Sequence, residues 1–160
     1  MTRTYGWADS SQRVVESVPH GHWKTTTWLS ALRLDGVVAP LVVDGAINGE
    51  LFLTWVRRQL TPALKPGDIV IMDNLAVHKV SGVHDALESI GVRLLYLPPY
   101  SPDFNPIEQI FAWFKAKLRS IKARTQEGLW AAIGRLCEEL SPQVIQNCFA
   151  HSGYPSKLAA

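Results

Sequence analysis

Residues 69–74, IVIMDN, set four apolar residues in a row against an acid and an amide. Pro66-Gly67-Asp68 just before them is a turn signal. A short apolar run bounded by turns reads as a strand buried on both faces, the kind found inside parallel sheets. Working outward, Val80, Val83, Leu87 and Ile90 fall on one face of a helix over about 79–90, and Gly91 stops it. Residues 92–97, VRLLYL, return as a strand. Strand, helix, strand implies a parallel pair joined by a crossover.

On the N-terminal side, 12–18 reads as a short strand, 24–34 as a second and 37–43 as a third, the last two joined at Asp35-Gly36. Pro40 in the return strand suits an edge or a bulge. Asn48 caps a helix over about 49–64, with Leu51, Phe52, Trp55, Val56, Leu60 and Ala63 on its apolar side. Beyond 97, the stretch PPYSPDFNP is a stiff loop. Asn105 as cap and Pro106 as first helical residue open a helix to about 122. Its buried stripe is Ile107, Ile110, Phe111, Phe114, Leu118 and Ile121. Helices over 126–140, capped by Thr125, and 142–151, capped by Ser141, complete the chain, with His151 onward a frayed tail. The pattern is a mixed α/β sheet with a helical C-terminal part.

The chain's 160 residues suit one domain, and its 47% hydrophobic and 19% charged content excludes a disordered protein. A net charge of +2 excludes a polybasic tail but not a local basic surface. Cys137 and Cys148, with ten residues between them, form no metal or disulfide framework, which suits a reducing compartment. The N-terminus has no apolar signal-peptide core, and no stretch approaches the ~18 apolar residues of a membrane span.

Asp73 falls at the C-terminal end of the apolar strand, the edge where open α/β sheets bind ligands and metals. Glu108 falls in the first turn of the helix entered from the next strand. Converging carboxylates suit hard cations such as Mg²⁺, and two such ions suit phosphoryl transfer. Each acid has a plainer reading: Asp73 as a strand-end turn residue, Glu108 as the third member of a capping box with Asn105. Lys115, Arg119 and Lys122 share nearly the face of Glu108, and Lys117 and Arg124 lie nearby. Residues 109–124 hold five basic residues and no acid. That stripe suits a phosphate backbone, and equally a solvated helix face. Pro19-His20-Gly21-His22 lacks zinc-spaced partners and reads as a loop. His84 reads as a surface residue. Trp28 and Trp55 read as core, Trp23 and Trp113 as the better candidates for contact with DNA or a partner.

The segments IVIMDNLAVHK and LLYLPPYSPDFNPIEQIFAWFK, with 34 residues between Asp73 and Glu108, resemble the second and third catalytic motifs of DDE transposases. The likeness is narrower, to the bacterial insertion-sequence branch of the mariner superfamily. PHGHWKTTTWLSALRLDG and VVDGAINGELF also resemble that branch, and the resemblance covers about 5–154. It implies a ribonuclease H-like fold and cleavage and strand transfer at transposon ends, that is, DNA transposition. It implies two ions, Mg²⁺ or Mn²⁺, held by Asp73 and Glu108 as the catalytic and metal-binding acids. Asn74 and His78 become neighbours of the site, or DNA-facing. Lys115, Lys117, Arg119 and Lys122 become nucleic-acid contacts. The implied partner is DNA, both transposon ends and target, with a homodimer or a mixed dimer with full-length transposase, in the bacterial cytoplasm at the nucleoid.

The family uses three carboxylates, the first on a central strand that precedes a Tyr-Gly-x-Ala segment. Here Tyr5-Gly6-Trp7-Ala8 follows only MTRT. The expectation is therefore an N-terminally truncated catalytic domain, residues 1–154, with 155–160 as tail. It lacks the first, central strand, its Asp and the family's helix-turn-helix. Asp9, Asp35, Asp44 and Asp103 all sit in turn-like settings and are weak replacements. A gap in the sheet with exposed edges follows. The chain is then inactive alone. The competing readings are a non-catalytic DNA-binding or oligomerisation fragment that interferes with full-length transposase, and a nuclease of the same fold with an unrecognised third acid.

Overall fold

The structure, a computed structural model, describes residues 6–15 and 25–155. Strands β1 (Thr26–Arg33) and β2 (Gly36–Asp44) form an antiparallel hairpin. Its register slips between Leu29 and Ala31, because Ala39 and Pro40 together oppose Ser30. Pro40 thus sits at a bulge, where its missing N–H costs no ladder bond. Ala39 takes a left-handed φ of 51° there, and its carbonyl accepts a hydrogen bond from Trp55 Nε1 at 2.8 Å. The hairpin runs close to the expected ranges. Residues 12–15 are exposed and in no strand; 16–18, the rest of the strand expected at 12–18, lie outside the described residues, as do His20, His22 and Trp23.

Helix α1 (Gly49–Trp55) starts where Asn48 Oδ1 accepts from the Leu51 amide at 2.8 Å. It widens into a π-type turn over Val56–Leu60 and tightens over Thr61–Ala63. Pro62 has no N–H to give the preceding turn, and the Thr61 hydroxyl bonds back to the Val56 carbonyl, so the last turns cannot stay regular. Strand β3 (Ile69–Met72) pairs in parallel with β4 (Arg93–Tyr96), as the strand–helix–strand order requires. Between them, Ala76–Lys79 forms one 3₁₀ turn and α2 spans only Val83–Glu88. The expected helix at 79–90 is shorter because Gly82, at φ 92°, turns the chain left-handed before it begins.

Helices α3 (Pro106–Ile121), α4 (Gln126–Glu139) and α5 (Pro142–His151) carry the caps expected at Asn105, Thr125 and Ser141. The tail is not frayed as far as it is described. Ser152 is buried and its hydroxyl meets Gln109 Nε2 at 3.2 Å, and the Tyr154 hydroxyl donates to the Phe104 carbonyl at 2.9 Å. No helix among the described residues is long and apolar enough to cross a membrane.

Two apolar clusters form the core. The first joins α1, α2 and the β3–β4 pair, with Phe52, Trp55, Val56, Leu60, Val83 and Leu87 at its centre. The second joins α3, α4 and α5 around Ile110, Phe114, Ile133 and Ile145. The hairpin lies between them: Leu29, Ala31 and Leu41 pack on the first, Trp28, Leu32 and Val42 on the second. Side chains alternate across a strand, so one hairpin serves both. Among the described residues the strands form two separate pairs, β1–β2 and β3–β4. Contrary to the expectation of a strand buried on both faces, Ile69 and Ile71 are 51% and 38% exposed, and only Met72 is buried. The physical reason is a cavity of about 810 Å³ that separates β1 from β3 and removes the neighbour that would cover them.

Candidate active site

Asp73 follows the last residue of β3, so the strand sets its position at the C-terminal end of the parallel pair. Its carboxylate Oδ1 is in close contact with His78 Nδ1, which also lies 3.2 Å from the Asp73 carbonyl oxygen. His78 is held in turn. Its ring stacks on Phe52 with centroids 4.7 Å apart, and the Tyr96 hydroxyl donates to its carbonyl at 2.9 Å. The His78 side chain is only 19% exposed, so it braces Asp73 from the protein side. Phe52 and Tyr96 are the parts of the site that sequence reasoning missed. The available signal was register: Tyr96 pairs with Met72 and so ends its strand beside Asp73.

Asn74 is half-buried, with its side-chain oxygen enclosed and without a hydrogen-bond partner. An enclosed amide oxygen with no donor is costly unless something supplies one.

Glu108 sits in the first turn of α3, exposed, and lines the same cavity as Asp73 and His78. The capping box does not form. The Asn105 amide donates to the Pro102 carbonyl at 2.9 Å, and the Asn105 side chain accepts from Ile107. The backbone N–H that Glu108 would have to reach is therefore taken. Glu108 is positioned by a loop that the Tyr154–Phe104 bond ties to the end of the chain.

Lys115, Lys117 and Arg119 are exposed along α3, and Lys122 is partly buried at its C-terminal cap. Lys117 is nine residues from Glu108, half a turn out of phase, and its ammonium lies 5.5 Å over the Trp113 ring. Trp113 meets Phe114 edge-on and packs on the second cluster, so it serves the core, as do Trp28 and Trp55. His84 is a surface residue beside Asp85 and Glu88.

Asp73 and Glu108 carry hard oxygen donors, the class that divalent Mg²⁺ and Mn²⁺ prefer. Among the described residues no group of three His, Cys, Asp or Glu side chains comes together. Asp9, Asp44 and Asp103 are exposed; Asp35, at the hairpin turn, lines the cavity. In chemistry the two donors Asp73 and Glu108 fit such a metal, and both line the one cavity.

The family described as "DDE superfamily endonuclease" matches residues 1–130. No curated protein matches the sequence. Solved structures of similar fold include the Mos1 strand transfer complex, with a TM-score of 0.69 and 19% identity over 95% of this chain and 50% of that one. The Mos1 mariner paired end complex with Mn aligns with a TM-score of 0.70 and 18% identity, over 95% of this chain and 51% of that one. The Mos1 transposase catalytic domain with Raltegravir and Mg aligns with a TM-score of 0.58 and 17% identity, over 81% and 82%. The chain spans about half the length of the first two. At such identities the likeness is one of fold, and it is the ribonuclease H-like α/β fold expected from the sequence.

Proposed function

This chain belongs to the DDE superfamily of endonucleases, and from that premise we propose that it is the part of a DNA transposase that supplies two of the catalytic carboxylates, Asp73 and Glu108. The observation that carries this reading is that two acids with 34 residues between them open on one cavity at the C-terminal end of β3. The blocked capping box leaves Glu108 free of a local task.

In this reading Asp73 and Glu108 hold divalent ions, Mg²⁺ or Mn²⁺, two in the complete site. Bound there, the ions supply Lewis acidity toward phosphate oxygens. The chain's own residues do the rest. His78 fixes the direction of the Asp73 carboxylate. Asn74 stands next to Asp73 as its neighbour in this site. Lys115, Arg119 and Lys122 run along α3 from Glu108 and take a phosphate backbone, which screens its charge and registers it on the site.

Because no three His, Cys, Asp or Glu side chains among the described residues come together as a metal-holding group, we propose that the chain binds DNA but does not cut it unaided. The same observation favours a second reading, a non-catalytic fragment that occupies DNA ends or pairs with full-length transposase. One experiment addresses both: a labelled DNA duplex is incubated with the purified chain and Mg²⁺ or Mn²⁺, with binding and nicking read together. The expected result is binding without nicking, with Mn²⁺ titrating onto the chain and not onto Asp73→Asn. Nicking abolished by Asp73→Ala would overturn the proposed dependence on a further acid. Mn²⁺ binding unchanged in Asp73→Asn would overturn the site, and absence of DNA binding would overturn both readings.

A further inference from the structure

We infer that Tyr154 is a positioning residue for Glu108, and that the turn over residues 152–154 after α5 holds the entry of α3 on both sides of that carboxylate. This deepens the proposed function and rests on Glu108 as a metal-binding acid. On one side, the Tyr154 hydroxyl donates to the Phe104 carbonyl at 2.9 Å, from 50 residues away in sequence. On the other, Gln109 Nε2 donates to Ser152 Oγ at 3.2 Å and to the Cys148 carbonyl at 3.4 Å. Glu108 lies between Phe104 and Gln109, in the first turn of α3. Phe149 and Tyr154 line the same cavity as Glu108.

The entry to α3 needs such a tie. Pro102, Asp103 and Phe104 are exposed, so burial does little to hold them. The bonds within this loop run from the Phe104 amide to the Ser101 carbonyl and from the Asn105 amide to the Pro102 carbonyl. Bonds of that kind fix the shape of a turn, not its place on the molecule. The first turn of a helix also carries amides with no partner inside the helix. The two groups that reach it from the end of α5 are well placed to do so. Ser152 is buried, and partial burial holds the Tyr154 hydroxyl above the usual phenol value, so it stays a donor at neutral pH.

The clasp is itself fixed by the way α5 ends. Gly153 takes a left-handed φ of 85°, its amide donates to the Ala150 carbonyl at 3.1 Å, and the Tyr154 amide donates to the Phe149 carbonyl at 2.9 Å. That pair of bonds closes a helix and turns the chain back on it. The apolar contact that goes with such an ending is present too: the Tyr154 and Phe149 rings meet edge-on with centroids 6.0 Å apart. Ile145 and Cys148 of α5 share the second cluster with Ile110 and Phe114 of α3, so the platform does not depend on the Tyr154 hydroxyl. Residues 152–154 lie beyond residues 1–130, the part that the DDE family matches.

The test titrates Mn²⁺ onto the 160-residue chain by electron paramagnetic resonance and reads amide hydrogen exchange at Ile107, Glu108 and Gln109. Tyr154→Phe keeps the ring and removes the hydroxyl. It is expected to speed exchange at those amides and to weaken Mn²⁺ binding, each about fivefold, the worth of one hydrogen bond, with the thermal midpoint moved by no more than a few degrees. Gly153→Ala acts in the same direction: a Cβ there meets nothing within 4 Å, so only the left-handed backbone is disfavoured. In a Glu108→Gln background, Tyr154→Phe leaves the remaining Mn²⁺ binding unchanged, a result that general loosening of the fold would not give. Unchanged exchange in Tyr154→Phe overturns the clasp. Faster exchange with native Mn²⁺ affinity, where Glu108→Gln does weaken that affinity, overturns the positioning role. So does an equal loss from Tyr154→Phe with and without Glu108. Mn²⁺ binding indifferent to Glu108→Gln overturns the metal-binding reading of Glu108, and the inference with it.

Discussion

Asp68 shows how one side chain fixes a distance between two halves of the molecule. Its carboxylate accepts from the Lys65 amide at 2.9 Å and from Arg33 at 2.8 Å. The Lys65 amide first, and then the Arg33 guanidinium, hold its carboxyl below the usual carboxylate value. A carboxyl lowered in the folded state adds stability above its unfolded value, near 3.8, and that contribution is lost as pH falls through the lowered folded value. Asp68→Asn is therefore expected to flatten the acid limb of the stability curve below about pH 4 and to cost at most about 1 kcal/mol at neutral pH, the pair being partly solvated. Urea melts from pH 2 to 7 check it. At this scale the sequence was readable where a residue's task is local. Asn48, Asn105, Thr125 and Ser141 cap the helices their positions indicate. The bracing of Asp73 by His78, Phe52 and Tyr96 was not readable, because three different elements deliver those groups.

Among the elements, the hairpin and α3 offer sharp tests. Ala39 sits in the left-handed region at the bulge opposite Ser30. Ala39→Gly relieves that conformation and is expected to raise stability by about 0.5–1 kcal/mol, read from denaturant midpoints. An unchanged or lower midpoint would show the bulge to be relaxed without it. On α3, Lys115 and Arg119 lie near the face of Glu108, while Lys117 faces away over Trp113. If the helix tracks a phosphate backbone, Lys115→Ala and Arg119→Ala each reduce the slope of log K against log salt by about 0.9, and Lys117→Ala leaves it nearly unchanged. Equal slopes for all three would place DNA elsewhere. The helices were legible because period and caps agree. The second strand of the parallel pair was legible for the same reason, but not the exposure of β3: an apolar run states what a strand would bury, not whether a neighbour is present to cover it.

The whole molecule is organised around a shared wall. The β1–β2 hairpin contributes Leu29 and Ala31 to one cluster and Trp28 and Leu32 to the other. Neither cluster keeps its wall if the other unfolds, so the chain is expected to melt as one unit despite its two cores. Phe114, 1% exposed and 4.2 Å from the Trp28 ring, lies at the centre of the second. Phe114→Ala is expected to cost about 3–5 kcal/mol and to lower the melting of both clusters together. Separate transitions would mean that the hairpin couples them weakly. The wall also carries its own reporters. Trp28 lies against Phe114 in one cluster, and Trp55, bonded to the Ala39 carbonyl, lies in the other. With the other four indoles replaced, each half would have a fluorophore of its own, one on the hairpin and one bonded to it, and light emitted from the two sides would tell whether they come apart in the same instant.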